Sequence, residues 1–287
     1  MKKSFLLLAA ILVIGIIIIL VLIDNNRQKI VVSPARLTVA ATIFPLYDIL
    51  RNVAGDGVRV LLIIPPGASE ENFDPTPETA KNIQQTKIIF KVGLLLDDWV
   101  DILNADAKIV AAWENIEIKE FDPHYWLDAA NAIKIAETMA RELAVLDPLN
   151  AKTYQTNFNN YQAELLKLND ETRNKLSALE RRDLITFHDA WQYFADAYDL
   201  NVITVVQPSP GQEPTPKYLE SLISLAKEYQ VKTIFSEPQL SSAALEPLIK
   251  DLGLKMLPLD AIGGTAGRES YFNLMRYNTQ TIIEGVR

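Results

Sequence analysis

Two histidines and a few acidic side chains are the residues of this 287-residue chain best placed to do chemistry. His124 stands in Asp122-Pro123-His124-Tyr125-Trp126-Leu127-Asp128, and His188 stands in Phe187-His188-Asp189-Ala190, directly after an apolar run. Glu70 and Glu71 follow the run at 58–64, Glu237 follows Ile234-Phe235, and Asp260 follows Met256-Leu257-Pro258-Leu259. Imidazoles with carboxylates and no soft sulfur suit a divalent transition metal such as Zn, Fe or Mn. Four side chains that close the coordination shell capture an ion, whereas an open position lets the metal activate water. A helix starting beside His124 would disfavour its protonated ring and keep it ready as a ligand. Singly, each residue has an ordinary explanation: a hydrogen-bonded histidine, a solvated Glu70-Glu71 loop, a capping Glu237, or a turn at Asp260 before Gly263-Gly264.

Other chemistries find little footing. The absence of cysteine excludes disulfides, thiolate metal sites, a Cys nucleophile and a lipid-modified Cys. With 28 basic against 36 acidic residues, the chain lacks the clustered basic charge of a nucleic-acid surface, and no nucleic-acid partner is expected. The phosphate-loop, zinc-helix and nucleophile-elbow motifs are missing, and Gly263-Gly264-Thr265-Ala266-Gly267 reads as a loop.

The elements that must position these residues alternate between Val/Ile/Leu-rich runs and helix-period segments. Strands are expected at Leu37–Thr42, Val58–Ile64, Lys87–Val92 and Lys108–Ala112, then at Asp183–Phe187, Asn201–Val205, Lys232–Phe235 and Lys255–Leu259. Such alternation predicts an α/β fold with parallel sheets covered by helices. Between the two sets, Tyr154, Phe158, Tyr161, Leu165, Leu168 and Leu176 recur at helical spacing with no Gly or Pro among them. They predict one rigid helix of about 30 residues, ~45 Å long. The expected architecture is therefore two parallel-sheet lobes, at 36–146 and 181–287, joined by a linking helix at 147–180. Ligands of open α/β sheets bind beyond the carboxyl ends of the strands, and the residues named above fall at that same edge of the predicted sheets, drawn from both lobes. Thr76-Pro77 and Thr215-Pro216 each read as a helix start, a faint echo between the lobes.

Residues 1–28 read differently. Phe5–Ile23 is apolar apart from Gly15, carries no charge and follows Lys2-Lys3. At ~28 Å it matches a bilayer core, is longer than a signal-peptide core and ends without a small-x-small site. This predicts an uncleaved N-terminal transmembrane anchor with the body outside, a cleaved signal being the alternative.

At the motifs quoted, and at Pro65-Pro66-Gly67-Ala68, Phe73-Asp74-Pro75-Thr76-Pro77, Ser236-Glu237-Pro238-Gln239 and the close Tyr271–Asn278, the chain resembles the metal receptors of zinc and manganese ABC importers. The resemblance spans nearly the whole exported part. It implies two α/β lobes on one long helix and a metal cleft formed by His124, His188 and Asp260, with Glu71 where relatives place a first His. Glu70 is the fallback for Glu71, and Glu237 is a supporting residue or alternative ligand. Two carboxylates favour Mn²⁺ more than a three-His site would, yet affinity alone favours Zn²⁺. The His-rich loop of many zinc members is missing between Asn104 and Asp122. The implied protein is a monomeric, non-enzymatic receptor on the outer face of the cell membrane that passes Zn²⁺ or Mn²⁺ to an ABC permease. A metal-dependent hydrolase using Glu237 as base, or an adhesion or sensing module with a degenerate site, are the other readings.

Overall fold

In the computed structural model, which describes residues 36–103, 106–207, 214–241, 249–251 and 253–287, the apolar runs form two four-stranded sheets. The first holds β1 (Thr38–Ala41), β2 (Arg59–Leu62), β3 (Ile88–Lys91) and β4 (Lys108–Ala111), in the order β2-β1-β3-β4. The second holds β5 (Asp183–Thr186), β6 (Asn201–Val205), β7 (Thr233–Ser236) and β8 (Lys255–Pro258), in the order β6-β5-β7-β8. Every pairing is parallel. The shared order makes the second sheet a topological repeat of the first. The inner strands are covered on both faces, and Val39, Ala40, Ala41, Leu184 and Ile185 are wholly buried. That is why these strands read as continuous apolar runs.

Helices α1 (Phe44–Ala54), α2 (Pro77–Ile83) and α3 (Ala129–Leu146) belong to the first half. The expected link is α4 (Ala151–Ser177), about 40 Å long for its 27 residues. Its start lies later than Asp147-Pro148, because Pro148–Asn150 forms a 3₁₀ turn and Asp147 instead accepts hydrogen bonds from Asn150 Nδ2 and Tyr154 Oη. Tyr154, Phe158, Tyr161, Leu165, Leu168, Thr172 and Leu176 line its buried stripe, which meets α1, α3 and the last helix, α7 (Tyr271–Val286). Between them lie α5 (Gln192–Tyr198) and α6 (Pro216–Glu228). The two Thr-Pro starts behave alike: Thr76 Oγ1 accepts from the Thr79 N–H and Thr215 Oγ1 from the Tyr218 N–H.

The lobes share a core. One buried cluster includes Val39 and Phe90 from the first sheet, Leu165 from α4, and Leu184 and Phe235 from the second. Trp126 Nε1 donates to the Ala261 carbonyl at 2.8 Å, and Tyr271 Oη donates to the Trp126 carbonyl at 2.7 Å. The Tyr271 N–H donates to Asp48 Oδ2 at 2.9 Å. The anchor expected at Phe5–Ile23 lies outside the described residues; among those described, no helix is long and apolar enough to cross a membrane.

The lobes also approach each other closely at Gly264. Its φ is +79°, and an added Cβ would sit 2.9 Å from the Phe44 ring and 3.2 Å from Pro66 Cβ. Gly264→Ala should therefore cost about 2 kcal/mol, combining a left-handed backbone with overpacking, and lower the urea midpoint at unchanged slope. An unaltered midpoint would show that the lobes can part there freely.

Candidate metal centre

Each candidate side chain leaves the carboxyl edge of a strand. Glu71 lies in the loop after β2, His124 in the segment after β4, His188 two residues past β5, Glu237 directly after β7 and Asp260 two residues past β8. Glu71 Oε1 lies 3.9 Å from His124 Nε2 and 3.7 Å from His188 Nε2, and the two Nε2 atoms are 3.4 Å apart. One ligand atom from each of the three thus lies within 4.8 Å of the other two. Two imidazole nitrogens and a carboxylate oxygen, drawn from both lobes, converge on one point.

The far side of each ring explains its aim. His124 Nδ1 is 2.8 Å from Asp122 Oδ1, which also accepts the His124 backbone N–H. His188 Nδ1 is 2.5 Å from Glu237 Oε1, which lies 3.4 Å from Trp191 Nε1. A carboxylate on Nδ1 fixes the tautomer and leaves Nε2 for a metal, the support that metal-binding histidines usually have. The helix N-terminus expected to disfavour the protonated ring of His124 does not lie beside it, and another group orients the ring. Helix α3 starts at Ala129, capped by Asp128, and a 3₁₀ turn over Tyr125–Leu127 separates it from the ring. Asp122 does that work.

The cluster is nearly dry, with His124 and His188 at 2% and 4% exposure. Burial pulls the His188 imidazole down, but its hydrogen bond and charge attraction to Glu237, with Glu71 and Glu70, outweigh that and hold it at about 9. Burial raises the Glu71 carboxyl against the pull of both histidines. Glu70, almost fully buried, is pushed up to about 7 by desolvation. A divalent cation would displace the histidine proton and satisfy the carboxylates together.

Asp260 and Glu70 lie outside the convergent trio. The Asp260 carboxylate is completely buried, and its backbone N–H and C=O both bond to the Asn278 amide. Its Oδ1 accepts from Gln239 Nε2, Ile262 N–H and Gly263 N–H. The supporting roles of Asp122, Gln239 and Asn278 are additions to the sequence reading. Asp122, two residues before His124, carried a local signal; Asn278, eighteen residues from Asp260, carried none.

A cleft of about 730 Å³ opens over the trio, and Glu117, Glu120, Asp122, Asp189 and Asp196 give it an acidic wall. Such a wall raises the local concentration of cations. Lys119 ties this wall to the other lobe: its N–H donates to Tyr193 Oη at 2.9 Å and its ammonium pairs with Asp196.

Comparison with known proteins points the same way. The model of the family described as ZnuA, zinc-uptake complex component A, periplasmic, matches residues 39–285. The metal ABC transporter substrate-binding lipoprotein SloC of Streptococcus mutans is 30% identical over 277 residues, covering 88% of this chain and 90% of its own. The manganese-binding lipoprotein MntA of Halalkalibacterium halodurans is 25% identical over 265 residues, 87% and 88% of the two chains. Among solved structures, ZnuA superposes with a TM-score of 0.81 at 29% identity, over 88% of this chain and all of its own. FpvC of Pseudomonas aeruginosa in complex with Mn²⁺ gives 0.77 at 28%, over 88% and 98%.

The geometry assigns Glu237 a positioning role that can be measured. Glu237→Gln keeps the shape but removes the charge that holds His188, and should weaken Zn²⁺ binding by roughly 10- to 100-fold with an unchanged circular dichroism spectrum. Binding equal to wild type in a chelator-competition titration would refute it.

Proposed function

The chain belongs to the ZnuA family of periplasmic zinc-uptake components, and from that membership we propose that Glu71, His124, His188 and Asp260 capture one Zn²⁺ or Mn²⁺ ion between the two lobes. The protein is a substrate-binding receptor of a metal ABC importer and delivers its ion to the permease. The observation that carries the ligand set is the convergence of Glu71 Oε1, His124 Nε2 and His188 Nε2 from opposite lobes. Asp260, two residues past the last strand of the second sheet, supplies the fourth ligand through Oδ2, which receives no hydrogen bond.

The receptor does no chemistry on the ion. Glu237, the residue a hydrolytic reading needs as a base, is committed to His188 Nδ1. Lobes at 36–146 and 181–287 move as bodies on the linking segment 147–180, and release follows when the permease draws their ligands apart. The stiffness of α4 keeps that movement small. The chain works as a monomer.

The body acts outside the cytoplasm. Relatives are named lipoproteins, whereas none of these 287 residues is a cysteine that could carry a lipid. Phe5–Ile23 therefore serves as the tether. Peptides from residues 1–28 should be recovered from the membrane-bound protein; their loss from the mature chain would refute the anchor.

Metal titration tests the receptor reading. Zn²⁺ or Mn²⁺ at 1,000 times its Kd should stabilise the fold by about 4 kcal/mol, a rise in Tm of roughly 10 °C. His124→Ala should abolish that rise, and competition between the ions should identify the tighter cargo. No stabilisation of the wild type by either ion would sink the reading, and an undiminished rise in His124→Ala would refute the ligand set.

A further inference from the structure

The two oxygens of Asp260 are held differently. Oδ1 carries three hydrogen bonds, from Gln239 Nε2 at 2.9 Å and from the N–H groups of Ile262 and Gly263 at 3.1 and 3.0 Å. Oδ2 carries none, although the carboxylate is completely buried. Arg268 Nε stands 3.2 Å from Oδ2, yet its N–H is not directed at that oxygen, and Nε itself is a buried donor without a hydrogen bond. Charge alone joins them. The guanidinium instead sits over the Tyr277 ring, 4.6 Å from its centroid. The Arg268 backbone closes the glycine loop through Gly264 N–H to its carbonyl and through its own N–H to Thr265.

We propose that Arg268 is the resident counter-cation of Asp260 and competes with the cargo ion for Oδ2, so that it sets how tightly the metal is held and how readily it leaves. The inference rests on Asp260 being a metal ligand. A fully buried carboxylate is costly without a positive neighbour, and the guanidinium supplies one whenever the cargo does not. An arriving divalent ion takes Oδ2, and its charge repels the guanidinium at the same moment. Arg268 can yield because Tyr277 gives it an independent cation–π seat and its side chain is 15% exposed, which leaves a path toward water. Capture is then an exchange of cations rather than a simple addition. Exchange lowers affinity but spares the second lobe an uncompensated buried charge when the ion departs.

The test uses the full chain stripped by chelator and titrated with Zn²⁺ and with Mn²⁺ against a competing chelator. Arg268→Gln should bind Zn²⁺ more tightly by on the order of tenfold, release it more slowly, and melt at a lower temperature once stripped. Tyr277→Leu, a half-buried change, removes the alternative seat and should weaken binding several-fold. In an Asp260→Asn background, Arg268→Gln should leave affinity unaltered, because the coupling runs through that carboxylate. Wild-type or weaker affinity in folded Arg268→Gln, or wild-type affinity in Tyr277→Leu, would overturn the proposal. Asp260→Asn that binds like wild type would instead remove its premise, while His124→Ala would still report on the receptor reading.

Discussion

The buried indole of Trp126 fixes the distance between the lobes. Its Nε1 donates to the Ala261 carbonyl, its own carbonyl accepts from Tyr271 Oη, and its ring stands 5.2 Å from that of His124. One fully buried side chain thus ties His124 of the first lobe to the residue beside Asp260 in the second. A metal site needs its ligand atoms placed to within a few tenths of an ångström, and loops on separate sheets cannot supply that by themselves. Bonds across the shared core can. The stripe on α4 then limits how far the sheets slide, since the helix packs against helices of both halves.

Electrostatics makes the same site costly without a cation. Glu70, Glu71 and Glu237 lie close together among two histidines, and burial alone pushes Glu70 and Glu71 upward. The proton held by His188 offsets part of that repulsion. A divalent ion does so better, because one ion satisfies several carboxylate and imidazole lone pairs at once. In the proposed ligand set, Glu71 in the first place would shift the donors toward hard oxygen, which narrows the advantage that an imidazole-rich site gives to Zn²⁺.

Much of this was legible in the sequence because it rests on local patterning. Buried parallel strands read as apolar runs, and the α4 stripe read as helical spacing, since both are dictated by one face meeting a core. Carboxylates and histidines that follow strands were legible as candidates because an open α/β sheet presents its loops at one edge. Helix α7 was harder to see, for its buried positions include Asn278, Thr279 and Thr281, polar residues that satisfy backbone groups. The linking helix starts at Ala151 rather than at 147 because a 3₁₀ turn over Pro148–Asn150 overrides hydrophobic periodicity there. Arg268 facing Asp260 had no signal at all, since loop closure through Gly264 decides it.

Capture and catalysis place opposite demands on such a cleft. A catalytic metal must keep one coordination position for water and a free base nearby. Here the bases beside the histidines are spent on orientation: Asp122 on His124 and Glu237 on His188. Groups used this way raise the donor strength of the imidazoles and hold their rings still, which favours tight binding. With the proposed ligands drawn from both lobes, their binding energy would also hold the lobes together. On that proposal, release would require work on the fold itself rather than a chemical step at the ion, and a partner that grips the two lobes separately is suited to supply it.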